Sequence, residues 1–400
     1  MSNFLADKSY LAIGKQTAQF VAVKPSVFVP IIEEGIKTDQ KNTRVKQIVG
    51  IGYESSKVLA GEREHSGSVT IQCDPDTLGH ILNLIGSKLA TTGDATVGYT
   101  HTFDMLSDSK FYTFEVLRGN AVFRFVNVKI DKIEFSFKDG YLEAKIDIVA
   151  GSQFSTATLK TALTGAGMVA VAMKSDYDQH PASSLVAGDV IQLWTAGVAT
   201  DVIVATVAAD GSGITCLSTA VTASVGALIT LKPQTASYAT LLKPFKAGKA
   251  LIGFGTDNTA STTAAGAYAT ATPVDEIKLE INKGLISRHS TGSEDPIVLS
   301  GIPDASLSVK KLFETATEQQ AYLDTAKKAC TLIITGEDVT AGYPTKVQIV
   351  LYNIVPKKLD NKLKKGEYIY DEADYTVEYD NTAAKVMDIV LINKTAGTAY

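Results

Sequence analysis

The chain is short of the side chains from which most enzymes and metal sites are built. Its 400 residues hold three cysteines, Cys73, Cys216 and Cys330, spaced too widely for a Cys-x-x-Cys pair. That spacing argues against a disulfide framework or a zinc site and fits reduced, buried thiols. The five histidines (His65, His80, His101, His180, His289) are scattered, with no His-x-x-x-His or Glu-x-x-His on a helix. Long hydrophobic runs are missing too. The richest early stretch, residues 18–32, is broken by Lys24, Pro25 and Pro30, so no membrane span is expected. The opening MSNFLADKSYLAIGK lacks the basic-then-apolar order of a signal peptide. A formal charge of −5 excludes a broadly basic nucleic-acid binder. Gly50-Ile-Gly52 has no third glycine, Ser107-Asp-Ser-Lys110 has no partner motif, and Asp74/Asp76 and Asp176/Asp178 read as a helix start and a turn. These absences predict a protein that is not an enzyme, holds no cofactor or metal, and folds in a reducing cytoplasm.

What is present is strand. At 45% hydrophobic and 20% charged residues, the chain can bury two or three cores. Gly67–Gly151 organises the rest. It opens on an alternating strand, Gly67–Asp74. Asp74 then caps a helix with Pro75 at its first position, and Leu78, Ile81, Leu82 and Ile85 form one apolar stripe closed by Gly86. A strand meander follows from Phe111 to Val149. In its last strand Leu142, Ala144, Ile146 and Ile148 point one way, and Glu143, Lys145 and Asp147 the other.

Before this segment, residues 18–32 read as a strand kinked at Pro25, and Glu33–Thr43 as a polar, protruding loop. Arg44 begins a second strand, and a long connection between helix and meander holds a short strand at Tyr99–Phe103. Residues 166–235 carry few charges and several short apolar runs separated by turn signals, which predicts a small inserted all-β barrel or sandwich with Trp194 as its core anchor. Residues 255–272 form a low-complexity Thr/Ala/Gly stretch. Beyond it come a strand, a helix capped by Thr315 with Glu318 and running to about Lys328, and more strands. The order of elements occurs twice. Val69 and Val309 lie 240 apart in the strands before each helix, and Asn127 and Asn353 lie 226 apart in the meanders, which predicts a duplication. The expected fold is therefore mainly β (α+β), with domains at 1–160 and 240–400, each with one short helix, and an inserted domain at 166–235.

The lysines of residues 356–365 are followed by an acidic stretch, Glu367–Asp380. They form either a solvated hairpin or a basic tip that meets an acidic rim of another copy. At Pro30-Ile-Ile-Glu-Glu-Gly, RVKQIVGIGYES and EREHSGSVTIQCDPDTLGHILNLIG the sequence resembles the tail tube (major tail) proteins of long, non-contractile-tailed bacteriophages. The resemblance covers residues 20–150 and extends to about 240–395 by element order alone. It implies β-sandwiches whose strands join those of neighbouring copies into a barrel, in rings that stack into a tube through which genomic DNA passes unbound. It implies a virion protein assembled in the host cytoplasm, meeting other tail proteins at the tube ends. With two tube domains per chain the ring would be a trimer of pseudo-six-fold symmetry, and otherwise a hexamer. The expected inter-subunit and ring-stacking residues are Glu33, Glu34, Lys37, Asp39, Lys41, Arg44, Lys357, Lys358, Lys364 and Lys365. The expected lumen-facing residues are Glu143, Lys145 and Asp147. The alternative is a β-rich adhesin or carbohydrate-binding module, which would need an exposed aromatic platform.

Overall fold

The computed structural model describes residues 9–48, 54–59, 61–105, 110–138, 140–165, 169–174, 181–217, 221–238, 243–255, 274–289, 295–313, 317–340, 342–362, 369–396 and 400. Strand dominates, as the alternating pattern predicts, and a single sheet links 18 strands. Among the described residues no helix is long and apolar enough to cross a membrane.

The helix α1 (Pro75–Ile85) forms as the sequence dictates. The Asp74 carboxylate accepts from the backbone N–H of Asp76 and Thr77 at 3.0 and 2.9 Å, satisfying two donors that the first turn leaves open. Leu78, Ile81, Leu82 and Ile85 are all buried in the main core. A Cβ on Gly86 would stand 2.4 Å from the Asp104 carbonyl oxygen, so the chain can turn there only without a side chain. The second helix, α2 (Thr317–Leu323), is shorter than its pattern suggests. A strand already begins at Lys328, and the Thr315 cap lies outside the described residues.

Two long strands, Ala121–Lys138 and Tyr343–Lys362, each change partners along their length. The N-terminal half of the first pairs with Tyr112–Arg118, and its C-terminal half with Tyr141–Ala150. The second repeats this with Lys328–Thr340 and then Tyr370–Val377. One buried core runs through both halves of the chain, from Ile71, Ile133 and Ile146 to Leu279, Leu307 and Tyr375.

Several expected loops are strands. Residues 33–43 do not protrude: Glu33–Glu34 and Lys37–Gln40 pair along Arg63–Gln72. The hairpin lies next to them, where Thr43–Ile48 pairs with Glu54–Leu59. The expected kinked strand at 18–32 reduces to Val27–Val29, and Phe20 takes a φ of 63°. Tyr10–Lys15 forms a strand between it and Tyr112–Arg118. The connection after α1 is a hairpin, Ser87–Asp94 with Gly98–Asp104, whose second strand pairs with Met387–Asn393 near the other end of the chain.

Six strands close a small barrel: Thr156–Leu159, Val169–Lys174, Gly213–Cys216, Val198–Val207, Val190–Thr195 and Leu228–Leu231. It takes in a strand ahead of residue 166. Its core is continuous with Tyr10, Ala12, Leu117, Val122 and Phe154 of the large sheet. Trp194 is not its anchor. Ile191 and Leu193 point inward, while Trp194 lies half-buried on the outer face and donates its indole N–H to the Thr230 hydroxyl at 3.0 Å.

A buried charge cluster ties the barrel to the large sheet. The Arg124 guanidinium lies 2.7 Å from Glu115 Oε2 and is hydrogen-bonded to both carboxylate oxygens of Asp189 on the barrel. It also donates to the Ser184 carbonyl at 3.1 Å. Tyr10 and Gln234 donate to the other oxygen of Glu115 at 2.7 and 2.9 Å. Burial works against a charge on Arg124, but Asp189 and Glu115 outweigh it and hold the guanidinium protonated.

Candidate assembly interface

Eight strand segments lie side by side in one antiparallel run. In order they are residues 33–40, Arg63–Gln72, Tyr141–Ala150, the C-terminal half of Ala121–Lys138, Glu276–Asn282, Asp304–Leu312, Tyr370–Val377 and the C-terminal half of Tyr343–Lys362. The last four reproduce the first four in order and register. Val69 faces Ile146 as Val309 faces Ala373. Glu34 faces Val69 as Ile277 faces Val309, a spacing of 243 between Glu34 and Ile277. The bulge between Ile130 and Lys132 recurs between Pro356 and Lys358, 226 residues on.

The two groups of four meet where Lys132 to Ser136 pair with Asn282 to Lys278. This internal junction is crossed by Lys132–Glu280 at 2.9 Å and Lys278–Glu134 at 3.0 Å. The hydrogen bond to Glu280 raises the affinity of Lys132 for its proton, as a partnered ammonium requires. At the two ends of the run, no strand among the described residues pairs with the outer edge of residues 33–40 or with the edge of 355–362 opposite Tyr370–Val377.

One face of the run is core and the other polar. Glu143, Lys145 and Asp147 stand on the polar face, where they face Gln72, Thr70 and Ser68 on one side and Ser136, Glu134 and Lys132 on the other. Glu143 is buried, Lys145 exposed and Asp147 half-buried. The face continues through Glu280, Ser308 and Asp374.

The structure sorts the remaining candidates. Glu33 is exposed at the edge, whereas Glu34 turns to the other side and is held by Arg118 at 2.6 Å. Lys37 and Asp39 form an exposed ion pair of 2.6 Å, and Lys41 pairs with Glu64 at 2.6 Å. Arg44 lies in the Thr43–Ile48 strand. Lys357 is exposed at the bulge, and Lys358 pairs with Asp360 at 2.6 Å. Lys364 and Lys365 fall outside the described residues. Sequence reasoning missed Asp360, although its alternation with Lys358 mirrors that of Lys37 with Asp39. It also missed the Arg124 cluster, whose signal is a lone charge within each of two apolar neighbouring strands, FRF and FEV.

A cavity of about 230 Å³ beside the start of α1 is lined by Phe28, Asp74, Asp76, Thr77, His80 and Tyr238, among others. Its acidic groups are engaged: Asp74 caps the helix and Asp76 accepts from Thr395 at 2.6 Å. Burial pushes the His80 imidazole down to about 4, so it is neutral at physiological pH. Among the described residues no group of three His, Cys, Asp or Glu is placed to hold a metal ion. No protein-family model matches the chain, and a search of curated proteins found no match.

Proposed function

We propose that this chain is a structural subunit of a phage tail tube, with two tube domains joined in one polypeptide and the small barrel as an external decoration. The observation that carries the reading is the eight-strand run. It is two equivalent sets of four strands, already joined edge to edge, with an open edge at each end and one polar face. A module that joins its own copy edge to edge inside one chain can join further copies the same way. A rotation that closes such head-to-tail joints gives a ring, and three chains supply six equivalent sets. The polar face then lines the lumen, where Lys145 is exposed and Asp147 half-buried, while Glu143 lies buried between Gln72 and Ser136. Such a mixed-charge wall offers DNA phosphates no continuous basic track on which to bind. The protein works in the virion tail, alongside other tail proteins at the tube ends.

Negative-stain microscopy of the purified protein across a concentration series tests this. Rings or stacked tubes are the expected result. Globules dispersed at every concentration would contradict it.

A second reading applies to the barrel alone. Trp194 on its outer face, beside Gln192, Thr230 and Asp201, supports a carbohydrate-binding role. Trp194 is the only tryptophan, so intrinsic fluorescence reads this site directly. A saturable fluorescence change on titration with oligosaccharides would favour that role, and a flat response would remove it.

A further inference from the structure

We infer that the seam between two chains joins the 33–40 edge of one to the 355–362 edge of the next in the register of the internal junction, so that Lys37, Asp39, Lys358 and Asp360 exchange their within-strand ion pairs for pairs across the seam. This rests on the tail tube reading above and specifies its joint.

The register follows from the two equivalences already described. Strand 132–136 of the internal junction corresponds to 358–362, through the shared bulge, and strand 278–282 corresponds to 35–39, through their common pairing to the next strand. Carrying Lys132↔Asn282 and Glu134↔Glu280 across sets Lys358 opposite Asp39 and Asp360 opposite Lys37. Leu359 falls opposite Thr38 between them. All four charged residues lie on the polar face, as Lys132 and Glu280 do in the internal junction.

Charge then favours this register over its neighbours, whereas in the internal junction Glu134 stands opposite Glu280 and both are met by diagonal lysines. Directly opposed residues of an antiparallel pair are close enough for opposite charges to stabilise and like charges to destabilise the joint. A two-residue slip one way places Lys358 opposite Lys37. The slip the other way places Lys358 opposite Lys41 and Asp360 opposite Asp39. A one-residue slip turns the apolar side of the edge strand toward water. Before assembly the same residues satisfy each other within each strand, Lys37 with Asp39 and Lys358 with Asp360, both at 2.6 Å. Each edge of the free chain is therefore neutralised and charged at once, a guard against unspecific strand pairing that a partner in matching register converts into attraction.

The test is a charge reversal confined to one edge. Lys358→Glu with Asp360→Lys keeps an opposite-sign pair within the strand but sets like charges across the seam, and Lys37→Glu with Asp39→Lys does the same from the other side. Each reversal should raise the concentration needed for assembly roughly tenfold or more, and less so at high salt. All four substitutions in one chain should bring it back to about the wild-type value. Unchanged assembly of both reversals, or a fourfold variant as defective as either, overturns the seam while leaving the tail tube reading intact. Wild-type protein that never assembles overturns that reading and the seam with it. Where a reversal fails to fold, Asp39→Cys with Lys358→Cys reports the same contact. The native cysteines are all buried, so mild oxidation of assembled protein should link chains through the new pair. Assembled chains that do not cross-link under those conditions overturn the register.

Discussion

Replacing Arg124 with alanine is expected to cost about 3–5 kcal/mol of stability, because it strands two buried carboxylates. Glu115 and Asp189 are both almost wholly inaccessible and both bonded to the guanidinium. Without it, Glu115 keeps only the Tyr10 hydroxyl and the Gln234 amide, and Asp189 keeps the backbone N–H of Val186. Neither set neutralises the charge. The substitution should also loosen the barrel, since Asp189 and Ser184 on its side are bonded to a side chain of the large sheet. Chemical denaturation, with hydrogen exchange on barrel amides, measures both effects. A loss below about 1 kcal/mol would mean that the shared apolar core alone holds the barrel.

Gly67→Val is expected to abolish assembly while leaving most of the fold in place. A Cβ on Gly67 would lie 2.3 Å from the Gly35 carbonyl oxygen and 2.5 Å from the Ile36 Cα, both backbone atoms of the edge segment that crosses it. Such a contact cannot be relieved by a rotamer change, so the 33–40 segment must move off Arg63–Gln72. The cost is on the order of 1–3 kcal/mol, and it falls on the strand that carries one edge of the proposed seam. Gly248→Ala is the matched control, since a Cβ there meets nothing within 4 Å. Circular dichroism should keep its strand signal in both variants, and sedimentation velocity should show assembly only in the control. Normal assembly of Gly67→Val would mean that the 33–40 edge takes no part in it.

How much of this could be read beforehand depended on whether the signal was local. The α1 stripe, its Asp74 cap and the alternation from Leu142 to Asp147 are set by residues within a few positions of one another, and the structure has them as expected. The spacings of 240 and 226 that suggested a repeat recur in the strand registers, because a register is a sum of local pairings. Partners distant in sequence were not legible. Residues 33–43 read as a polar loop, yet an edge strand with one face toward water can be polar too. The strand Gly98–Asp104 finds its partner at Met387–Asn393, a pairing no periodicity in either segment encodes. Trp194 was misplaced for another reason. Alternation divides a strand into two faces, and in a small barrel the larger side chain need not take the inner one.

On the tail tube reading, one chain carries two equivalent four-strand sets and so fills two places in a ring. Averaged end-on views of assembled rings test it most directly. A wall of six similar segments carrying three barrel projections, one for each chain, is the expected result. Six projections on a ring of clean six-fold order would contradict it, because each chain would then fill a single place.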